Sequence, residues 1–174
     1  MIRKATRDDI EKVAELYEKM LSYEEATTKY TSWQRGIYPT LDTARIGVKN
    51  GSLYVVEDNR EIIGSVILDT RQAPEYRNVD WSVKAGYNEA LVIHTLCVHP
   101  DYSGSGVGSA IVDFAKQLAK QMDCRAIRLN TTDRNTPAAH LYEKNGFVVA
   151  GAQKILLNGQ IPCETHLFME FKII

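Results

Sequence analysis

Nowhere in the 174 residues does an apolar run approach the length of about 20 needed to cross a bilayer. Met1-Ile2-Arg3-Lys4 leads straight into polar sequence, unlike the apolar core of a secretory leader. Cysteine is scarce: Cys97, Cys124 and Cys163 are an odd number without C-x-x-C spacing. That argues against a zinc site or a disulfide framework and for a reducing compartment, so the expected location is cytoplasmic. Neither sign of charge is in excess, since 21 Lys+Arg against 22 Asp+Glu leave a net charge of −1. With no long run of either sign, a nucleic-acid partner has no electrostatic footprint. No repeat, low-complexity tract or Pro/Gly/Ser-rich linker divides the chain. The remaining composition, 44% apolar and 25% charged, is that of a globular protein with a real core, expected as one domain over 1–174.

The most informative stretch runs from Leu91 to Met122. An apolar run from Leu91 to Val98, interrupted by His94 and Thr95, reads as a strand that Pro100 stops. A glycine-spaced turn follows, Ser103-Gly104-Ser105-Gly106-Val107-Gly108. Apolar residues then recur at Val107, Ile111, Phe114, Ala115, Leu118, Ala119 and Met122, a helical period. The first turn of a helix carries unpaired N–H groups and partial positive charge, and glycines let a phosphate approach it. A nucleotide pyrophosphate is the expected ligand; a plain tight turn is the alternative on the glycines alone. The chain lacks G-x-x-x-x-G-K-[ST], and its glycines lie past mid-chain after hairpin-like strands, which disfavours both a P-loop and a Rossmann unit.

The segment VHPDYSGSGVGSAIVDFA resembles the acetyl-CoA-binding motif of the GNAT superfamily of N-acetyltransferases, [R/Q]-x-x-G-x-[G/A]. Asn135-Thr136-Pro137-Ala138-Ala139-His140-Leu141-Tyr142-Glu143-Lys144-Asn145-Gly146-Phe147 is similar to that family's second motif, N-x-x-A-x-x-L-Y-E-K-x-G-F, in the same order and spacing. Ser103 stands where the family usually has Arg or Gln, which removes a side-chain contribution near the pyrophosphate. The resemblance implies an α/β fold: a mixed, mostly antiparallel sheet, splayed at the coenzyme site and flanked by helices. It implies acetyl-CoA as co-substrate, no metal, and acetyl transfer to a primary amine of a small molecule or peptide by direct attack in a ternary complex. Gly104, Ser105, Gly106, Val107, Gly108 and Ser109 would cradle the pyrophosphate. Leu96, Cys97 and Val98 would meet the pantetheine arm through their main chain, and Asn135 would hydrogen-bond the coenzyme. Tyr142 would lie near the coenzyme sulfur as general acid, with an amphipathic core tyrosine as its structural alternative. Family members often dimerise, so a homodimer is possible on the same grounds.

On a strand His94, Leu96 and Val98 share one face and Ile93, Thr95 and Cys97 the other. An amine with a lysine-like pKa of about 10.4 must lose a proton before it attacks, and an imidazole with a reference value near 6.5 can take it. His94 sits where many GNAT enzymes place a base, the alternative being a hydrogen-bonded core histidine. Asn130 lies near a position where some relatives carry a glutamate base, which an amide cannot replace. His99 reads as a loop-entry residue, while His140 and His166 have no motif to claim them. Cys97 reads as a buried structural thiol.

Elsewhere Ile2–Thr6 reads as a strand, with Thr6 and Asp8 starting a helix whose apolar face carries Ile10, Val13, Ala14, Leu16, Tyr17, Met20 and Leu21. Between Tyr23 and Tyr38, aromatics and carboxylates could hold a cationic amine; the favoured reading is core-capping aromatics and solvated glutamates. Pro39–Val48 reads as helical, and Ser52–Glu57 with Glu61–Asp69 as a hairpin turning at Asp58-Asn59-Arg60. Asn78–Val83 could be an edge strand. Cys124–Thr132, a helix from Thr136, and a closing pair turning at Asn158-Gly159 complete the chain. Rival readings are an acyltransferase for a longer acyl-CoA and a non-catalytic coenzyme-binding sensor module.

Overall fold

A computed structural model describes residues 1–155 and 164–173, and two compact units divide the chain. One comprises Met1–Lys29, Trp33–Leu68 and His94–Ile111, the other Tyr30–Ser32, Asp69–Ile93 and Val112–Ile174. The expected turn at Asn158-Gly159, and Cys163, lie outside the described residues.

In the first unit a short strand β1 (Ile2–Lys4) leads through a 3₁₀ turn into α1 (Ile10–Ala26). The acid that starts the helical segment is Asp9, not Asp8. Its Oδ2 accepts from the Thr6 N–H at 2.7 Å and from Thr6 Oγ1 at 3.0 Å, satisfying a donor the turn would leave open. Arg3 donates to both Asp9 oxygens and holds that carboxyl well below the usual range against the opposing effect of burial. Along α1, Val13, Leu16, Tyr17 and Leu21 are buried at helical spacing. A second helix, α2 (Leu41–Lys49), ends before Gly51, whose φ of +64° suits glycine.

β2 (Leu53–Asp58) and β3 (Glu61–Asp69) form the expected hairpin. Its two-residue turn, Asn59-Arg60, has positive φ at both positions, which matches the twist of the flanking strands. Val13, Leu16, Tyr17, Ala44, Leu53, Val55, Ile67 and Cys97 belong to one apolar cluster in this unit.

In the second unit, β5 (Ala126–Thr132) pairs antiparallel with β7 (Glu164–Lys172), which pairs with β6 (Val148–Ile155). β4 (Ala90–Val98) and β5 run parallel, with a register of Ala90–Val92 against Ala126–Arg128. The strand order is β1-β2-β3-β4-β5-β7-β6, so the fold is α/β with a mixed, mostly antiparallel open sheet flanked by helices. The register covers only the first third of β4, and the splay was expected beyond it, at the coenzyme site. α3 (Val107–Gln121) ends before Met122, which is 43% exposed and not part of the apolar helix face. α4 (Thr136–Lys144) is capped by the Asn135 side chain and closed by Gly146 at φ +87°.

The expected edge strand at Asn78–Val83 does not form; Pro74–Asn78 is a 3₁₀ turn. The backbone of this segment bonds to side chains instead of a neighbouring strand. Val83 N–H donates to Glu170 Oε1 at 3.1 Å, and Val83 C=O accepts from Arg128 Nη2 at 2.8 Å. Tyr76, Val79 and Trp81 close over Val92, Ile155 and Phe168 as a second apolar cluster.

Candidate active site

His94 is half-buried on β4, and Leu96 and Val98 share its exposure, while Thr95 and Cys97 are buried. This alternation is the face assignment expected of a strand. Thr95 departs from it in backbone, with φ of +48°, a region where a β-branched residue is an outlier. Its Oγ1 hydrogen-bonds the Tyr38 hydroxyl, so Tyr38 ties down the kinked residue beside His94. Cys97 is 2% exposed, and burial pushes its thiol far up, which leaves it protonated and unsuited to nucleophilic work.

After β4, His99 does more than enter a loop. Its Nδ1 accepts from Asp101 N–H at 3.2 Å, capping the 3₁₀ turn Pro100–Tyr102, and its backbone N–H donates to Ile63 C=O at 2.9 Å. That turn delivers the glycine loop. Gly104 and Gly106 have φ of +75° and +93°, and a Cβ on either would meet nothing within 4 Å. Their value therefore lies in backbone conformation and open approach, not in packing. The loop ends at Val107, where α3 begins, and the N-terminus of a helix carries partial positive charge. A phosphate fits this chemistry. Ser103 is exposed at the position before the loop.

Below the loop, Gly64 on β3 has the opposite role. A Cβ there would lie 3.1 Å from Val107 Cγ1, 3.2 Å from Val56 Cγ2 and 3.3 Å from Ile111 Cδ1. A side chain at residue 64 would push these neighbours, the first residue of α3 among them, back by a few tenths of an ångström.

A cavity of about 260 Å³ in the first unit is lined by Leu21, Glu24, Trp33 and Arg35, among others. Trp33 stands edge-on to both Tyr17 and Tyr38, the core-capping role expected of the aromatics. The glutamates divide: Glu25 is exposed and pairs with Arg35, whereas Glu24 is 3% exposed and not solvated.

In the second unit Asn135 Oδ1 accepts from Ala138 N–H at 3.2 Å, so its carbonyl is engaged as a helix cap. Tyr142 is buried on α4, its ring 5.5 Å from that of Phe147. Burial pushes the phenol pKa up, so it stays protonated and remains a donor. Asn130, noted in the sequence only as an amide, lies between two buried groups. Its Oδ1 accepts from Tyr76 Oη at 3.1 Å, and its Nδ2 is 3.1 Å from His166 Nδ1. His166, which no motif singles out, is 5% exposed. The available signal was periodic: Glu164, His166 and Glu170 fall on one face of an otherwise apolar strand. His140 is exposed. Among the described residues no group of His, Cys, Asp and Glu could hold a metal ion, and no helix is long and apolar enough to cross a membrane.

The family model of the acetyltransferase (GNAT) family matches residues 10–147, taking in the glycine loop and the whole of the second motif. The chain belongs to the GNAT family. An uncharacterized N-acetyltransferase of Methanocaldococcus jannaschii is 27% identical over 147 residues, 84% of this chain and 59% of the relative. Streptothricin acetyltransferase of Escherichia coli is 31% identical over 93 residues, 53% of this chain and 45% of the relative. The chain thus spans about half the length of these curated relatives. Among solved structures, a GNAT acetyltransferase from Streptococcus pneumoniae aligns with TM-score 0.73 and 21% identity over 100% of this chain and 99% of its own. A Salmonella typhimurium structure carrying acetyl-CoA as its cofactor aligns with TM-score 0.72 and 16% identity, over 100% and 94%. These likenesses give the GNAT fold.

Proposed function

We propose that the protein is an acetyl-CoA-dependent N-acetyltransferase acting on a primary amine of a small molecule or peptide. The observation that carries this is the glycine loop: two left-handed glycines with open Cβ directions lead directly into the N-terminus of α3. The Gly104–Ser109 backbone holds the pyrophosphate, and the main chain of Leu96, Cys97 and Val98 holds the pantetheine arm. A main-chain N–H of that stretch polarises the acetyl carbonyl. His94 takes the proton that the ammonium must lose. The amine nitrogen bonds to the thioester carbon as the carbon–sulfur bond breaks. Tyr142, kept protonated by burial, donates to the departing thiolate. Asn135 keeps its Nδ2 for the coenzyme while its Oδ1 caps α4. Streptothricin acetyltransferases among the relatives support a small-molecule amine. The buried free thiols Cys97 and Cys124 suit a cytoplasmic setting.

Ser103 favours one rival, a coenzyme-binding module without turnover. Calorimetric titration with acetyl-CoA, and with CoA lacking the acetyl group, tests the first requirement. Saturable binding is expected, followed by thiol release with an amine panel that includes streptothricin. No heat up to millimolar acetyl-CoA overturns the proposal, and binding without turnover across the panel favours the sensor.

Gly64→Ala gives a second test. The added methyl contacts three core side chains at 3.1–3.3 Å and displaces Val107. A loss of about 1–3 kcal/mol in urea unfolding is expected from overpacking. Weaker acetyl-CoA binding in calorimetry should accompany it, since the loop N–H groups move with α3. Unchanged affinity would mean that the coenzyme does not use that helix end.

A further inference from the structure

Asn130 sits two residues from the carboxyl end of β5, the kind of position at which open α/β sheets bind ligands. The β4–β5 register ends at Arg128, two residues before it. The amide is partly exposed, and its two internal bonds have fixed polarity. Tyr76 is 3% exposed and burial raises its pKa strongly, so its hydroxyl keeps its proton and donates it to Asn130 Oδ1. Asn130 Nδ2 can then only donate, so His166 Nδ1 must accept, which puts the imidazole proton on Nε2. The lone pair of His166 Nδ1, the nitrogen that would take a further proton, is thus engaged by the Asn130 amide. One N–H and one lone pair of the Asn130 amide remain for a ligand.

We propose that His166 is a positioning residue whose neutral Nδ1 fixes the direction of the Asn130 amide, and that protonation of His166 turns the amide over, exchanging the donor and acceptor it offers at the end of β5. A protonated Nδ1 is a donor and cannot face Nδ2. The turned amide would set Nδ2 against the buried Tyr76 hydroxyl, so the network resists the proton. The groups acting on His166 are Glu164 on β7 and Asp133, which favour the charged form, and Arg134, which opposes it. Gln153 is its register partner on β6 and is neutral. Burial outweighs the two carboxylates and lowers the His166 pKa, so the neutral state is held through neutral pH. The matching ligand is an amine that also carries an amide or hydroxyl group.

The test is nitrogen-15 NMR of the histidines and of the Asn130 side chain in the full chain, from above neutrality down to about pH 5. Expected are an unprotonated, hydrogen-bonded Nδ1 at high pH and exchange of the amide's ring contacts from His166 to Tyr76 as His166 titrates. With an amine that turns over, the acceptor KM should rise about three- to tenfold across that titration, the loss of one hydrogen bond. The kcat should hold, and His166→Gln, which accepts without titrating, should abolish the rise. Protonation at Nδ1 above neutrality, or an Asn130 amide that keeps its direction through the titration, overturns the proposal. The KM readout rests on the acetyltransferase reading; if no amine turns over, that reading fails while the NMR result still decides the role of His166.

Discussion

His94→Gln is expected to lower kcat by about 10²–10⁴-fold, the usual contribution of a positioned base, with acetyl-CoA affinity unchanged. Glutamine keeps a polar side chain of similar reach on the half-buried face of β4 but cannot take a proton. The coenzyme contacts assigned to Leu96, Cys97 and Val98 come from the main chain, so they survive the change. Without a base, only the unprotonated fraction of the amine reacts. The variant's rate should then climb tenfold per pH unit toward the amine's own pKa, about 10.4 for a lysine-like acceptor. The wild type, in which His94 takes the proton, should not follow that steep climb. Steady-state thiol release across pH reads both effects. A variant with wild-type rate at every pH would remove His94 from the chemistry and leave it a structural neighbour of the Thr95 kink.

The parts of the fold that were legible in the sequence are those whose backbone bonds are satisfied locally. Asn59-Arg60 fixes its own hairpin, Thr6 and Asp9 close a turn three residues long, and Gly146 ends α4 where a Cβ would be strained. The glycine loop was legible for the same reason, since its conformation and the start of α3 depend on neighbours in sequence. Even there Asp8 was preferred over Asp9, because the deciding partner, Arg3, lies in the preceding strand. Thr95 could not be anticipated: a threonine in a strand pattern predicts extended backbone, and its kink is secured by Tyr38, 57 residues away. The Asn130 and His166 pairing was hidden likewise, since separately each reads as an ordinary strand residue. Only the antiparallel register of β5 and β7, with Thr132 opposite His166 and Asn130 opposite Phe168, brings them to one face.

Arg128→Ala should be the most destabilising single change in the second unit, by about 3–5 kcal/mol, because it strands the Glu170 carboxylate without its cation. The pair is deeply buried, with side chains 4% and 1% exposed and Arg128 Nε 3.1 Å from Glu170 Oε2. Its effect reaches the segment between β3 and β4. Arg128 also donates to Gln72 Oε1 and to Val83 C=O, each at 2.8 Å, and lies under the Trp81 ring at 4.4 Å. Glu170 Oε1 accepts from Ser82 Oγ and Val83 N–H. The pair thus stands in for the strand partner that Val83 lacks. Two contrasts separate charge from scaffold. Glu170→Gln keeps an acceptor for Ser82 and Val83 while leaving the guanidinium unpaired. Arg128→Met with Glu170→Met removes both charges but orphans the N–H and C=O of Val83. The double variant should therefore recover part of the Arg128→Ala loss and not all of it, since a buried unpaired backbone group costs about 1–3 kcal/mol. Urea unfolding gives the free energies, and hydrogen exchange at Val83 reports the segment itself. Fast exchange at Val83 in the double Met variant, which removes the acceptor of its N–H, with slow exchange retained in Glu170→Gln, is the expected pattern. Equal protection in both would show that the apolar packing of Tyr76, Val79 and Trp81 holds the segment without the ion pair.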